Sequence, residues 1–218
     1  MAQLMPSLRP FPPERPDRLQ TPASLTGRGF SLRALSVEDL PWLRDLYATT
    51  RAEEMAPLPW PATAKRAFLD QQFALQHNHY LAMFGDSDFL AIQHRGTPLG
   101  RLYLQRDLQR DLQSDPQRAA GGDADAAAGE CSEAQTGEHL VVDIALFPQA
   151  RGRGIGGALM RAAQARAAAE GCGMRLHVMT TNPAAQRLYE RLGFVLVPEG
   201  GTPTHRLMRW RAGDPALD

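Results

Sequence analysis

A mixed α/β fold, about seven strands with about four helices against them, is what this 218-residue chain predicts, and three observations carry it. Short runs that alternate apolar and polar residues recur along the chain. Stretches with apolar residues at helical intervals separate them, and glycine, proline and asparagine mark the junctions. At 43% hydrophobic residues the chain suits one globular domain with a sizeable core.

Residues 1–27 are rich in proline and arginine and predict a flexible tail, because such a composition buries too little surface to offset the entropy of ordering. GFSLRAL, residues 29–35, alternates like a strand. Ser36 then opens SVEDLPWLRDLYATT as a helix, with an N-cap, early acidic residues and Pro41 in the first turns. The loop MAPLPWP leads to a second helix, ATAKRAFLDQQFALQHNH, on which Phe68, Leu69, Phe73 and Leu75 recur at helical intervals. DFLAIQH, a turn at RGTP and PLGRLYLQ read as an antiparallel hairpin.

Residues 106–138 are polar, rich in Ala, Gly and Asp, and without apolar periodicity, and predict a surface insertion. HLVVDIALF follows as an apolar strand, then a glycine-rich turn, then the Ala-rich helix IGGALMRAAQARAAAE. MRLHVMT is a further strand; Asn182 and Pro183 start a helix that Gly193 ends; FVLVP and THRLMRW supply the last two strands. The element order β-α-α-β-β-β-α-β-α-β-β is that of a mixed layer fold. The organisation expected is a tail over 1–27, a domain over 28–212 with the insertion at 106–138, and a second tail over 213–218.

Formal net charge is +0, so bulk electrostatics point to neither nucleic acid nor an anionic membrane. Lys65 is the only lysine, which leaves nearly all positive charge on arginine. The two cysteines, Cys131 and Cys172, fit neither a disulfide framework nor a zinc site, and no run approaches ~18 apolar residues. A soluble cytoplasmic protein without metal is the expectation.

The stretch QARGRGIGGALM, Gln149 to Met160, carries the chemistry. Gly152, Gly154 and Gly157 satisfy the dinucleotide pattern G-x-G-x-x-G, but the next strand ends LHVMTTN without the acidic residue that a ribose needs. Too little chain follows for paired βαβαβ halves, and a P-loop lacks its lysine. The physics of the turn survives both exclusions. Glycines between a strand and a helix present unpaired N–H groups and a positive dipole to an anion, and Arg151 and Arg153 add charge. A glycine-rich turn used only for tight packing is the bland alternative.

Arg151, Gly154 and Gly156 also satisfy R-x-x-G-x-G, and Asn182, Ala185, Leu188, Tyr189, Gly193 and Phe194 satisfy N-x-x-A-x-x-[LF]-Y-x-x-x-G-F about 30 residues on. In these two motifs the chain resembles the GNAT N-acetyltransferase superfamily, most closely over residues 140–197. The resemblance implies the GNAT acyl-CoA N-acyltransferase fold and transfer of acetyl from acetyl-CoA to a primary amine by direct attack in a ternary complex. It implies that Arg151, Gly152, Arg153, Gly154, Ile155, Gly156 and Gly157 hold the pyrophosphate, and that the pantetheine arm lies along Ile144, Ala145 and Leu146. The Leu146 N–H becomes a plausible oxyanion donor. Dimerisation is a habit of the superfamily.

Individual roles stay open. Asn182 reads equally as a helix N-cap and as a hydrogen-bond partner of pantetheine, with Ala185 beside it. Tyr189 is a general acid for the departing thiolate by resemblance, and otherwise a core residue. Asp143, a carboxylate in an apolar strand, is a candidate base whose pKa burial would raise, or a structural residue. Glu53 and Glu54 line an acceptor site or cap a solvated helix end. His77 and His79 form an H-x-H better read as surface imidazoles than as metal ligands. His177 faces an acceptor pocket or the core. The acceptor itself is unread: small amine, amino acid, antibiotic and protein N-terminus all fit. A CoA-binding sensor or scaffold without chemistry is the alternative function.

Overall fold

The computed structural model describes residues 7–106 and 137–213. They form two compact units, one from Met1–Gln105 and Val141–Ala163, the other from Arg106–Leu140 and Gln164–Asp218. Seven strands occur among the described residues, with helices between them, and the fold is mixed α/β as the element order predicts.

The first unit carries β1 (Phe30–Ala34), β2 (Asp88–His94), β3 (Thr97–Gln105) and most of β4 (Glu138–Leu146), in that sheet order. β1 and β2 are antiparallel with Leu32 opposite Ile92, and β2 and β3 antiparallel with Phe89 opposite Tyr103. Arg95 and Gly96 both have positive φ, 49° and 82°, the backbone a two-residue hairpin turn requires to match strand twist. The helices are α1 (Ala23–Thr26), α2 (Leu40–Thr50), α3 (Ala52–Met55) and α4 (Ala62–Met83).

Ser36 caps a 3-10 turn ahead of α2, and Asp39 closes the box by accepting from the Ser36 N–H at 2.8 Å. Helix α4 runs to Met83, four residues past the expected end, because Tyr80 and Leu81 continue its buried stripe. Leu43, Tyr47, Leu69, Phe73, Phe89, Ala91 and Tyr103 form the core here, joining α2 and α4 to one face of the sheet.

The second unit holds the first residues of β4, then β5 (Gly173–Met179), β7 (His205–Trp210) and β6 (Val195–Val197) in sheet order, with α6 (Pro183–Arg191) and the last turns of α5 (Ile155–Ala169). β5 and β7 are antiparallel with Leu176 opposite Met208. Met174, Leu176 and Val178 point inward while Arg175 and His177 alternate outward. Gly193, at φ 81°, ends α6: its N–H reaches Glu190 O and the Phe194 N–H reaches Tyr189 O at 3.0 Å. The buried Gln164 donates to Leu192 O at 2.7 Å.

The N-terminal segment departs from the flexible tail that its composition predicts. From Ser7 onward it packs on the first unit, with Leu19 and Leu25 buried and Phe11 against the core. Its polar groups are answered by buried partners: the Leu19 N–H donates to Asp88 Oδ2 at 2.8 Å, the Leu32 N–H to Thr21 Oγ1 at 2.8 Å, and His77 Nε2 bonds Arg9 O at 2.8 Å. Composition misses this because a few apolar residues spaced between prolines suffice once a surface exists to receive them. Deleting residues 1–22 should lower unfolding stability by about 2 kcal/mol or more, read from urea denaturation, since it uncovers apolar surface and strips a donor from a buried carboxylate. An unchanged midpoint would restore the tail. The expected insertion at 106–138 lies outside the described residues except for Arg106, Gly137 and Glu138, as does most of the C-terminal tail.

Candidate functional site

In the first unit, β4 ends at Leu146, a 3-10 turn over Pro148–Ala150 follows, and the glycine turn opens α5. Gly152 and Gly154 have φ of 70° and 74°, the left-handed region that glycine alone enters without strain. Residues 151–154 are exposed, and a Cβ at either glycine would meet nothing within 4 Å. Among the described residues no acceptor takes a hydrogen bond from the N–H groups of Gly152 to Gly157; the first donor of the helix is Ala158, to Gly154 O at 3.0 Å. Six main-chain donors at a helix start thus have no acceptor among the described residues, and those of Gly152 to Gly154 belong to exposed residues.

Three arginines surround this turn. Arg151 donates through Nε to Leu146 O at 3.0 Å. Arg153 lies 5.3 Å from the centre of the Phe30 ring, and Arg28 lies 5.2 Å from the same ring while donating to Arg153 O at 2.9 Å. Arg151 belongs to the sequence motif and Arg153 lies within it, whereas Arg28 is distant in sequence and carries no motif.

The end of β4 is tied to β3 by the Phe147 N–H, which donates to Leu99 O at 2.9 Å. Since N–H groups alternate in direction along a strand, that of Leu146 points away from β3. Ala145 passes close to Gly100.

Asp143 is not the isolated buried carboxylate that the apolar strand suggests. Its Oδ2 accepts from Arg101 Nη2 at 2.6 Å, and the same guanidinium nitrogen donates to Gln76 Oε1 at 2.9 Å. The Arg101 side chain is 4% exposed and that of Asp143 15%. Arg101 also lies 5.1 Å from the Tyr103 ring centre, and Tyr80 meets Tyr103 edge-on. Burial, with help from Asp143, pushes the Tyr80 hydroxyl upward; burial likewise takes Tyr103 to about 12 against the pull of Arg101. Burial opposes the charge on Arg101, and Asp143, Tyr103 and Tyr80 together outweigh it, so the guanidinium stays charged. Arg101, Gln76 and Tyr80 are the residues that sequence reasoning missed. The one available signal was an arginine in the middle of the apolar strand LGRLYLQ.

In the second unit, Asn182 is the N-cap of α6, its Oδ1 accepting from the Ala185 N–H at 3.0 Å. The N-cap reading of Asn182 therefore holds, and its side-chain amide donors remain beyond that bond. Tyr189 is buried, edge-on to Phe194 with ring centroids 5.9 Å apart.

The remaining candidates disperse. Glu53 and Glu54 sit in the short helix α3, not in a loop, and Glu54 pairs with Arg51 at 2.9 Å. His77 is buried at 4% exposure, edge-on to Phe11 and stacked on Phe73, so only His79 of the H-x-H is a surface imidazole. Residues two apart on a helix face different ways, which rules the pair out as a chelate. His177 is exposed on β5, which removes the core reading. No described helix is long and apolar enough to cross a membrane.

The model of the acetyltransferase (GNAT) family matches residues 47–194. A comparison with curated proteins finds no match. Solved structures with the same fold include the PaiA N-acetyltransferase of Thermoplasma acidophilum in complex with coenzyme A, 16% identical, with TM-score 0.54 over 84% of this chain and 98% of that one. Another is described as histone acetyltransferase HPA2 and related acetyltransferase from Corynebacterium glutamicum, 23% identical, with TM-score 0.52 over 87% and 98%. An acetyltransferase from Thermus thermophilus is 17% identical, with TM-score 0.51 over 84% and 96%.

Proposed function

Because the chain belongs to the acetyltransferase (GNAT) family, we propose that it transfers acetyl from acetyl-CoA to the primary amine of an acceptor by direct attack in a ternary complex. The observation that carries the reading is the glycine turn, whose N–H groups from Gly152 to Gly157 find no acceptor among the described residues and have Arg28, Arg151 and Arg153 around them. A diphosphate suits that turn: two adjacent negative groups meet several main-chain donors, and no Cβ at 152 or 154 stands in the way.

In this reading Ile144, Ala145 and Leu146 offer main-chain groups to the pantetheine amides, and the Leu146 N–H, directed away from β3, stabilises the oxyanion as the amine adds to the thioester carbonyl. The C–S bond then breaks, and Tyr189 gives its phenolic proton to the departing thiolate. Asn182 keeps its oxygen on the Ala185 N–H and has its amide left for the pantetheine arm. Asp143 is held in an ion pair with Arg101. Its part is to receive a hydrogen bond from the acceptor, with water carrying the proton away from the adding nitrogen.

The test is calorimetric titration with acetyl-CoA followed by a scan of primary amines for thiol release. Saturable binding with turnover on at least one amine is the expected result. Binding with no turnover on any amine would leave a CoA sensor or scaffold, and an absence of binding would remove the reading. Tyr189→Phe should lower kcat by about 100-fold and leave the acetyl-CoA dissociation constant within about twofold, the range for loss of one proton donor. An unaltered kcat across pH would take Tyr189 out of the chemistry.

A further inference from the structure

The pair of Arg101 and Asp143 is unusual for where it lies. A guanidinium only 4% exposed stands in β3, a strand otherwise lined with buried apolar residues, and reaches across to a carboxylate in the strand that ends at the glycine turn. A buried ion pair is a poor source of stability compared with apolar residues of the same size, so its presence asks for another reason.

Its geometry supplies one. Arg101 Nη2 takes Oδ2 alone, at 2.6 Å, and is itself shared with Gln76 Oε1 at 2.9 Å, which anchors the guanidinium to α4. Its Cζ lies over the Tyr103 ring, 5.1 Å from the ring centre, and Tyr80 meets that ring edge-on. The arginine is therefore fixed from three sides. Oδ1 of Asp143 accepts from no described residue, and the side chain retains 15% exposure. A lone carboxylate in such surroundings would turn freely. The arginine removes that freedom.

We infer that Arg101 is a positioning residue for acetyl transfer: it holds Oδ2 of Asp143 so that Oδ1 stays fixed in direction and free to accept an N–H of the acceptor amine. The inference rests on the N-acetyltransferase reading above and adds to it a residue outside every motif of the sequence. Gln76 and Tyr103 act one step further back, by holding the guanidinium.

The experiment compares wild type, R101M, R101K, D143N and the R101M/D143N double variant for acetyl-CoA affinity by calorimetry and for kcat and KM with putrescine, L-lysine and a tetrapeptide with a free N-terminus. R101M and D143N should each lower kcat/KM at least tenfold with acetyl-CoA affinity within twofold. R101K, which keeps a cation and a donor, should recover more than half of the loss. Because Arg101 works through Asp143, adding R101M to D143N should change kcat/KM by less than twofold; the double variant also buries no lone charge and covers the case in which D143N folds poorly. Single variants within twofold of wild type, or losses that multiply in the double variant, would overturn the inference alone. A wild type that binds acetyl-CoA and releases no thiol with any of the three amines would overturn the transfer reading, and this inference with it.

Discussion

Replacing Gly154 by leucine should weaken acetyl-CoA binding by more than 100-fold while leaving a folded protein. Gly154 sits at φ 74° in an exposed turn, and a Cβ there meets no atom within 4 Å, so the fold itself offers no clash. The backbone cost of a left-handed non-glycine residue is about 1–2 kcal/mol, which the domain can absorb. Binding has less tolerance. The added side chain would stand over the N–H groups that the diphosphate needs, and losing those contacts with their charge assistance removes about 3 kcal/mol or more, two decades in affinity. Calorimetry reads the affinity directly. The rise in melting temperature that acetyl-CoA gives to wild type should vanish in the variant. Affinity within threefold of wild type, in a variant with an unaltered far-UV spectrum, would detach the phosphates from this turn.

Gly100→Val should be the most damaging single change to the fold. A Cβ on residue 100 would overlap the Ala145 carbonyl oxygen and lie 2.7 Å from Leu146 Cδ2, and these are main chain and packed side chain of the adjacent strand, not a flexible tip. The close approach is possible only because the residue has no side chain. Forcing β3 and β4 apart at this point breaks ladder hydrogen bonds near the Phe147 to Leu99 bond and opens the layer beneath. A loss of about 3 kcal/mol or more is expected from overpacking against backbone, measured as a shift of the urea midpoint, and expression as insoluble protein is the extreme outcome. Even Gly100→Ala should shift the midpoint clearly. A value near wild type would show that the strands are further apart at residue 100 than described.

Much of the architecture was legible before any coordinates. The hairpin at Arg95 and Gly96, the stop of α6 at Gly193 and the Ser36 cap on the turn ahead of α2 follow from local rules, since glycine, proline and capping residues act within four residues of themselves. The glycine turn was legible for the same reason: its positive φ at Gly152 and Gly154 depends on what its own backbone can do. Tertiary contact shows up in the failures. The N-terminal segment looked unable to order itself, and alone it is; Asp88, Asn78 and His77, about 70 residues away, supply the partners that Leu19, Arg9 and Ser7 need. His77 looked like a surface imidazole because its neighbour His79 is one, yet a helix turns the two in different directions.

Asp143 marks the boundary between the two kinds of knowledge. Its strand and its apolar neighbours can be read from VVDIALF, and from them either a candidate base or a structural carboxylate follows. The partner that changes its chemistry, Arg101, lies 42 residues earlier in a strand whose pattern gives no hint of a pair. By itself, then, the order of residues determined the elements, the mixed fold and a glycine-rich turn at a helix start, because each of these is written in spacings of a few residues. Which charges stand together, which oxygen of Asp143 is taken and how closely β4 passes Gly100 were decided only when distant strands came within reach of each other, where Coulomb and contact forces act.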